Sequence, residues 1–106
     1  MLQERRQSQR FHDEQVVFVT LTNGARESTA GVTENVSADG TLLYCDRFIA
    51  LGSQVEVMLE FVPEITLGKP VPALCQGRVL RIEQELKEGK FGMAVVFEQL
   101  HVLPSA

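Results

Sequence analysis

The sequence predicts one small all-β domain, a barrel or sandwich of about six short strands. Three observations support this fold class. The chain has 106 residues, of which 44% are hydrophobic, and this suits a single domain with one core. Its apolar residues fall in short runs that are rich in β-branched and aromatic types and are separated by turn residues. No long segment repeats apolar residues at the spacing of an amphipathic helix.

The predicted strands follow one another along the chain at residues 15–21, 29–37, 41–45, 54–61, 73–82 and 91–97. Asn23-Gly24 marks a turn after the first strand, and Asp39-Gly40 marks a turn after the second. A sheet of this size does best to close into a barrel, because closure hides the hydrogen-bonding edges of its outer strands.

The fourth and sixth strands alternate apolar residues with others, which predicts one buried face on each strand. The predicted buried residues are Val55, Val57, Leu59 and Phe61 in the fourth strand and Phe91, Met93, Val95 and Phe97 in the sixth. Residues 62–72 carry three of the four prolines, so they are predicted to form a loop rather than a central strand. Residues 83–90 contain Gly89 between two strands and are predicted to form a hairpin loop.

The charges are unevenly distributed along the chain. Residues 1–10 contain three arginines and one glutamate, a net +2, so the remaining residues carry −6 of the total charge of −4. An acidic body is a poor partner for duplex DNA or an anionic membrane, because both attract broad basic surfaces. A short arm that carries Arg5, Arg6 and Arg10 is better suited to a small anion.

No group of residues predicts catalysis or a metal centre. Cys45 and Cys75 lie among apolar residues and, without an export signal, are expected to be buried reduced thiols. His12 and His101 lie near opposite ends of the chain, and the histidines and cysteines lack the spacing of zinc ligands. The carboxylates lie in polar stretches, where nothing predicts the burial that raises a pKa. We therefore expect a binding module with no cofactor rather than an enzyme.

The location follows from two absences in the sequence. The N-terminal residues lack the apolar run of a signal peptide. No segment approaches the roughly 20 apolar residues of a membrane span. We therefore expect a cytoplasmic protein that does not insert into membranes.

Two short motifs flank the first predicted hairpin. Residues 6–10 read RQSQR, an RxxxR motif, and residues 35–40 read NVSADG, an NxSxxG motif. Taken singly, the first is typical of a solvated arm and the second of a turn between strands. Taken together and in this order, they resemble the signature of the PilZ domain family, which is RxxxR followed by (D/N)xSxxG.

The resemblance extends over about residues 5–100. It includes the stretches GTLLYC, GSQVEVMLEF and FGMAVVF and the tripeptide Gly77-Arg78-Val79. It implies a small six-stranded antiparallel split β-barrel with little or no C-terminal helix. On this view residues 1–13 form an arginine-bearing arm, residues 14–100 the barrel and residues 101–106 a short tail.

The resemblance also implies a ligand, the bacterial second messenger cyclic di-GMP. Arg6 and Arg10 would hold its phosphates and guanine edges, because the planar guanidinium offers paired charge-assisted hydrogen bonds. Asn35 and Ser37 would meet a guanine from the barrel surface. Arg5 would stack on a second, intercalated ligand, which implies two molecules per site.

Gly40 and Asp39 are expected to act through the backbone. Gly40 permits a positive φ and a close approach of chain or ligand, and it is counted with the ligand-binding residues. Asp39 is interpreted as a turn residue rather than a contact.

The predicted function is that of a cyclic di-GMP receptor or adaptor. Ligand binding would order the arm and present a new surface to an unidentified protein effector. Two alternatives remain open. One is a PilZ-like adaptor that binds a protein and no nucleotide. The other is a barrel that binds single-stranded nucleic acid, although the chain has no tryptophan and one tyrosine to serve as stacking platforms.

Overall fold

The computed structural model of the chain describes residues 11–24 and 26–104. Its elements are β1 (Phe11–His12), β2 (Val16–Leu21), β3 (Glu27–Val36), β4 (Gly40–Cys45), β5 (Gln54–Phe61), α1 (Pro63–Thr66), β6 (Val71–Ile82) and β7 (Phe91–Val102). Apart from the four-residue α1, the regular structure in the described part of the chain is entirely β.

The strands form one antiparallel sheet that closes on itself. Their order is β1-β3-β2-β5-β6-β7-β4, and β4 also pairs with β3. Strands β2 to β7 therefore make a six-stranded barrel, and β1 is an additional short strand beside β3. The predicted all-β barrel is confirmed. Strand β1 lies in the segment that we expected to contain no strand, because two residues without alternation leave no pattern to read.

The barrel interior contains the residues that the alternation assigned to it, with one exception. Phe91 is half-buried and lies outside the core, edge-to-face with the exposed Phe48 at a centroid distance of 5.9 Å. Val55, Val57, Leu59 and Phe61 are each at most 5% exposed, and they pack with residues from β2, β4, β6 and β7. Met93 and Val95 are likewise buried, and Phe97 packs against the core edge-to-face with Phe61 at a centroid distance of 6.3 Å. Such aromatic pairs add to the hydrophobic stabilisation that burial supplies.

Strands β6 and β7 are longer than the sequence predicts. Strand β7 continues five residues past Phe97 to Val102, and all five of these residues are exposed. They are held in the sheet by pairing with β6, from Ala73 opposite Val102 to Gln76 opposite Gln99. Alternation cannot reveal such a segment, because neither of its faces is consistently buried.

Residues 62–72 are a loop except at its end. The loop contains α1, and its last two residues begin β6. Pro72 lies one position inside the strand, where its carbonyl accepts a hydrogen bond from the Leu103 N–H at 2.9 Å. Proline has no backbone N–H to donate, but near the start of a strand this removes a hydrogen bond only at the end of the strand pair.

The loop between β6 and β7 is a hairpin, as predicted. Lys87 and Lys90 exchange backbone hydrogen bonds of 3.0 and 2.9 Å. Between them, Glu88 and Gly89 have φ values of 54° and 78°. Two successive positive φ values are typical of the tight turn that suits the twist of antiparallel strands.

Both cysteines are free and buried, which confirms the expectation for the thiols. Cys45 and Cys75 have no exposed surface, and burial raises the pKa of each thiol to about 12. Neither is therefore a thiolate nucleophile at neutral pH. Across residues 11–24 and 26–104, no helix has the length and apolar character needed to cross a membrane.

Gly77 allows β6 and β7 to approach closely at the bulge between them. A Cβ atom at this position would lie 1.9 Å from the carbonyl oxygen of Val96. We expect Gly77→Ala to lower the free energy of unfolding by roughly 1–3 kcal/mol or more, because the strands would have to separate. Chemical denaturation measures this difference.

The matched control is Gly68→Ala in the loop before β6. A Cβ atom at Gly68 has no neighbour within 4 Å. We expect its stability to stay within about 0.5 kcal/mol of the native value. Equal stability of the Gly77→Ala and Gly68→Ala proteins would contradict the close-packing explanation.

Candidate functional site

The NxSxxG motif forms the end of β3 and the turn into β4. Ser37 is completely buried, and its Oγ accepts hydrogen bonds from the N–H groups of Asp39 at 3.1 Å and Gly40 at 3.2 Å. The Ser37 N–H donates to the Gly40 carbonyl at 2.9 Å. The hydroxyl therefore holds the turn together, as serine side chains do in short turns. Its contact with a ligand remains a prediction.

Gly40 is needed for a close approach of the chain. It is the first residue of β4 and pairs with Val96, and a Cβ atom there would lie 2.3 Å from the Val95 carbonyl oxygen. The expected close approach is thus confirmed, and the approaching group is β7. The expectation of a positive φ is wrong, because among the described glycines only Gly24, Gly52 and Gly89 have one.

A β-bulge determines which way Asn35 faces. The register of β3 against β4 shifts between Thr33, which pairs with Leu43, and Asn35, which pairs with Leu42. Glu34 is the extra residue. Thr33 and Val36 are buried, whereas Glu34 and Asn35 between them are half-exposed. The bulge therefore turns two successive side chains outward, a common way to direct residues next to functional sites.

Strand β1, which follows the arginine arm in the sequence, lies beside this turn. Phe11 pairs with Val36, and His12 pairs with Asn35. Because Arg10 immediately precedes Phe11 in the sequence, the arm joins the barrel beside the NxSxxG turn. Arg5, Arg6 and Arg10 themselves lie outside the described residues. The side chains of His12 and Asn35 face the same side of the sheet, as directly opposed residues of an antiparallel pair do.

A charged cluster borders the outward face of Glu34. The Lys87 Nζ from the β6–β7 hairpin lies 2.9 Å from the Glu34 Oε1 and 5.3 Å from the centre of the Tyr44 ring. The hydrogen bond to Glu34 raises the pKa of Lys87. Burial raises the pKa of Tyr44, and the nearby Glu34 carboxylate raises it further. These three residues line an open cleft of about 210 Å³ between β3 and the hairpin.

Neither Glu34 nor Lys87 was recognised as part of the site from the sequence. Glu34 directly precedes the NxSxxG motif, but a strand without a bulge would place it on the opposite face from Asn35. Lys87 follows Glu34 by 53 residues in the sequence. No local signal connects the two residues.

Asp39 occupies the turn through its backbone, as interpreted from the sequence. Its N–H donates to the Ser37 Oγ, and its carbonyl accepts from the Phe97 N–H at 2.7 Å. The Asp39 Oδ2 is buried and makes no hydrogen bond in the described structure. Buried carboxylate oxygens usually accept a hydrogen bond.

The described residues contain no cluster of three or more histidine, cysteine, aspartate or glutamate side chains that could hold a metal ion. His12 lies at the site, and His101 lies on β7 within hydrogen-bonding range of Gln76 at 3.3 Å.

The turn gives a test of the role of Ser37. We expect Ser37→Ala to lower the free energy of unfolding by roughly 1–3 kcal/mol, because the buried Gly40 N–H and the partly buried Asp39 N–H lose their acceptor. Chemical denaturation measures the loss. The control is Ser28→Ala, which removes an exposed hydrogen bond to Thr20 and should change stability by less than about 0.5 kcal/mol. Native stability of Ser37→Ala would show that the turn does not need the hydroxyl.

Comparison with known proteins agrees with the barrel fold described above. No curated protein sequence matches the chain significantly. Among solved structures, the inhibitor of motility MotI/DgrA of Bacillus subtilis is similar in fold, with a TM-score of 0.61 and 20% sequence identity. The similarity covers 92% of this chain and 44% of that protein, so this chain spans less than half of its length. Residues 4–102 match the PilZ domain, and the chain therefore belongs to the PilZ domain family.

Proposed function

We propose that the chain is a receptor for cyclic di-GMP that binds the ligand between its arginine arm and the NxSxxG turn. The observation that carries this proposal is the pairing of β1 with the end of β3. It joins the arm that bears RxxxR to the barrel beside Asn35 and Ser37. This pairing supports a site to which both motifs contribute, although they are distant in the sequence.

The residue types suit the two parts of this ligand. Arg6 and Arg10 offer planar forks of donors that stay charged at all physiological pH values. Such a fork binds a phosphate through two charge-assisted hydrogen bonds, or the O6/N7 edge of guanine. Asn35, on the outward side of the bulge, offers an amide to a guanine base. Among residues 11–24 and 26–104 no donor reaches the buried Asp39 Oδ2, which supports the arrival of a further donor at the same turn.

Ligand binding is proposed to act as an ordering switch. Fixing the arm costs roughly 1–2 kcal/mol of backbone entropy per residue. Several hydrogen bonds to charged groups, at about 1.5–3 kcal/mol each, offset this cost. The ordered arm then presents a surface to a protein effector, which is a common form of signalling switch. The similar structure is described as an inhibitor of motility, which supports a regulatory role.

The first test is calorimetric titration with cyclic di-GMP. We expect the native chain to bind and Arg10→Ala to bind roughly tenfold to a hundredfold more weakly, because one charge-assisted contact is lost. The control is Arg26→Ala, which removes an exposed arginine that pairs with Glu56 away from the turn. It should bind like the native chain.

A native chain that releases no heat with cyclic di-GMP would contradict the proposal. It would then favour the alternative of a PilZ-like adaptor that binds a protein without nucleotide. If Arg10→Ala binds cyclic di-GMP as tightly as the native chain does, the arm is not part of the binding site.

The second test concerns Arg5 and the number of ligands. We propose that Arg5 stacks on a second ligand, so the native chain should bind two molecules of cyclic di-GMP per chain. Arg5→Leu should bind one, because an apolar side chain cannot hold the intercalated molecule by a cation–π contact. The titration gives the stoichiometry directly. One ligand per native chain, unchanged in Arg5→Leu, would refute the stacking role.

A further inference from the structure

Guanine presents two different hydrogen-bonding edges, and the arginine arm suits only one of them. The O6/N7 edge accepts hydrogen bonds, and an arginine fork supplies its donors. The opposite edge carries the N1–H and the 2-amino group, which are both donors and need acceptors. We infer that Glu34 is a guanine-reading residue whose carboxylate accepts hydrogen bonds from this second edge. The inference rests on the proposed function.

The bulge places Glu34 where such a contact is possible. In a regular strand, Glu34 and Asn35 would face opposite sides of the sheet. The register shift between Thr33 and Asn35 instead leaves Glu34 and Asn35 half-exposed on the outer surface, with buried residues on either side. Two acceptors therefore stand side by side next to the turn that carries the motif.

Glu34 supplies a charge that the first position of the motif lacks in this chain. The (D/N)xSxxG signature permits either aspartate or asparagine at its first position, and this chain has Asn35. An amide offers one neutral carbonyl acceptor, whereas a carboxylate offers two oxygens and roughly twice the hydrogen-bond strength. Glu34 places that carboxylate one residue earlier in the chain, and the bulge gives it the same orientation.

Lys87 acts as a positioning residue for this carboxylate. Its Nζ holds the Glu34 Oε1 at 2.9 Å and lies over the Tyr44 ring. The pairing uses one oxygen, and an ionised carboxylate has about four acceptor positions in all. The lysine charge also reduces the repulsion between Glu34 and the phosphates of the ligand.

The test compares two ligands by calorimetry. Cyclic di-GMP is titrated beside cyclic di-inosine monophosphate, which lacks only the 2-amino groups. We expect Glu34→Gln to weaken cyclic di-GMP binding by roughly tenfold to a hundredfold, the effect of one hydrogen bond to a charged group. We also expect the preference for guanine over inosine to fall sharply in this variant, because its neutral amide is a weaker acceptor.

Lys87→Ala is the matched variant. It breaks the same ion pair but keeps the carboxylate, so it should retain the preference for guanine. It should lose some affinity, because the carboxylate is no longer positioned, but less than Glu34→Gln does, because exposed ion pairs contribute little. Asp46→Asn breaks the other lysine–carboxylate pair of the hairpin, with Lys90, and should behave like the native chain.

The outcomes separate the two proposals. If the native chain binds cyclic di-GMP and Glu34→Gln keeps the native preference for guanine, the role of Glu34 is refuted while the proposed function stands. If Glu34→Gln and Lys87→Ala lose affinity equally, the ion pair rather than the carboxylate matters, and the contact is again refuted. No binding by the native chain overturns the proposed function and the inference together.

Discussion

The pairing of β3 with β4 is the constraint on which the site depends. It closes the sheet, because every other strand is already joined in the order from β3 through β2, β5, β6 and β7 to β4. The closing pair contains the bulge at Glu34 and ends in the turn at Ser37. The strand pair that closes the barrel is thus also the pair that turns residues of the motif outward. A change that moves the β3–β4 register would reverse the direction of Asn35.

Most of the fold could be predicted from local patterns, because burial on one face imposes alternation. Val55, Val57, Leu59 and Phe61 show that pattern and are buried. Strand β1 and the end of β7 could not be predicted, because pairing rather than burial holds them in the sheet. Their partners lie far away in the sequence. The bulge could not be predicted for the same reason, because an extra residue can be recognised only by comparison with the strand that pairs with it.

The site was only partly predictable from the sequence. The motif identified Asn35, Ser37 and Gly40, but it did not show that their environments differ. Glu34 and Lys87 could not be linked, because their ion pair depends on the hairpin folding back over β3 and β4. A motif records which residue types recur together, whereas the contacts between distant segments follow from the closure of the sheet.

The NxSxxG motif combines buried residues that hold the turn with an outward-facing residue. Ser37 and Gly40 are buried, the first bonded to the turn backbone and the second packed against β7. Asn35 is half-exposed beside the strand that leads from the arm. Loss of the serine or the glycine would therefore act on the turn first and on a ligand only through it. Loss of an outward side chain would leave the barrel intact. Affinity and stability should consequently separate within six residues of one motif, and measuring both for each substitution distinguishes the residues that touch a ligand from those that hold the surface in place.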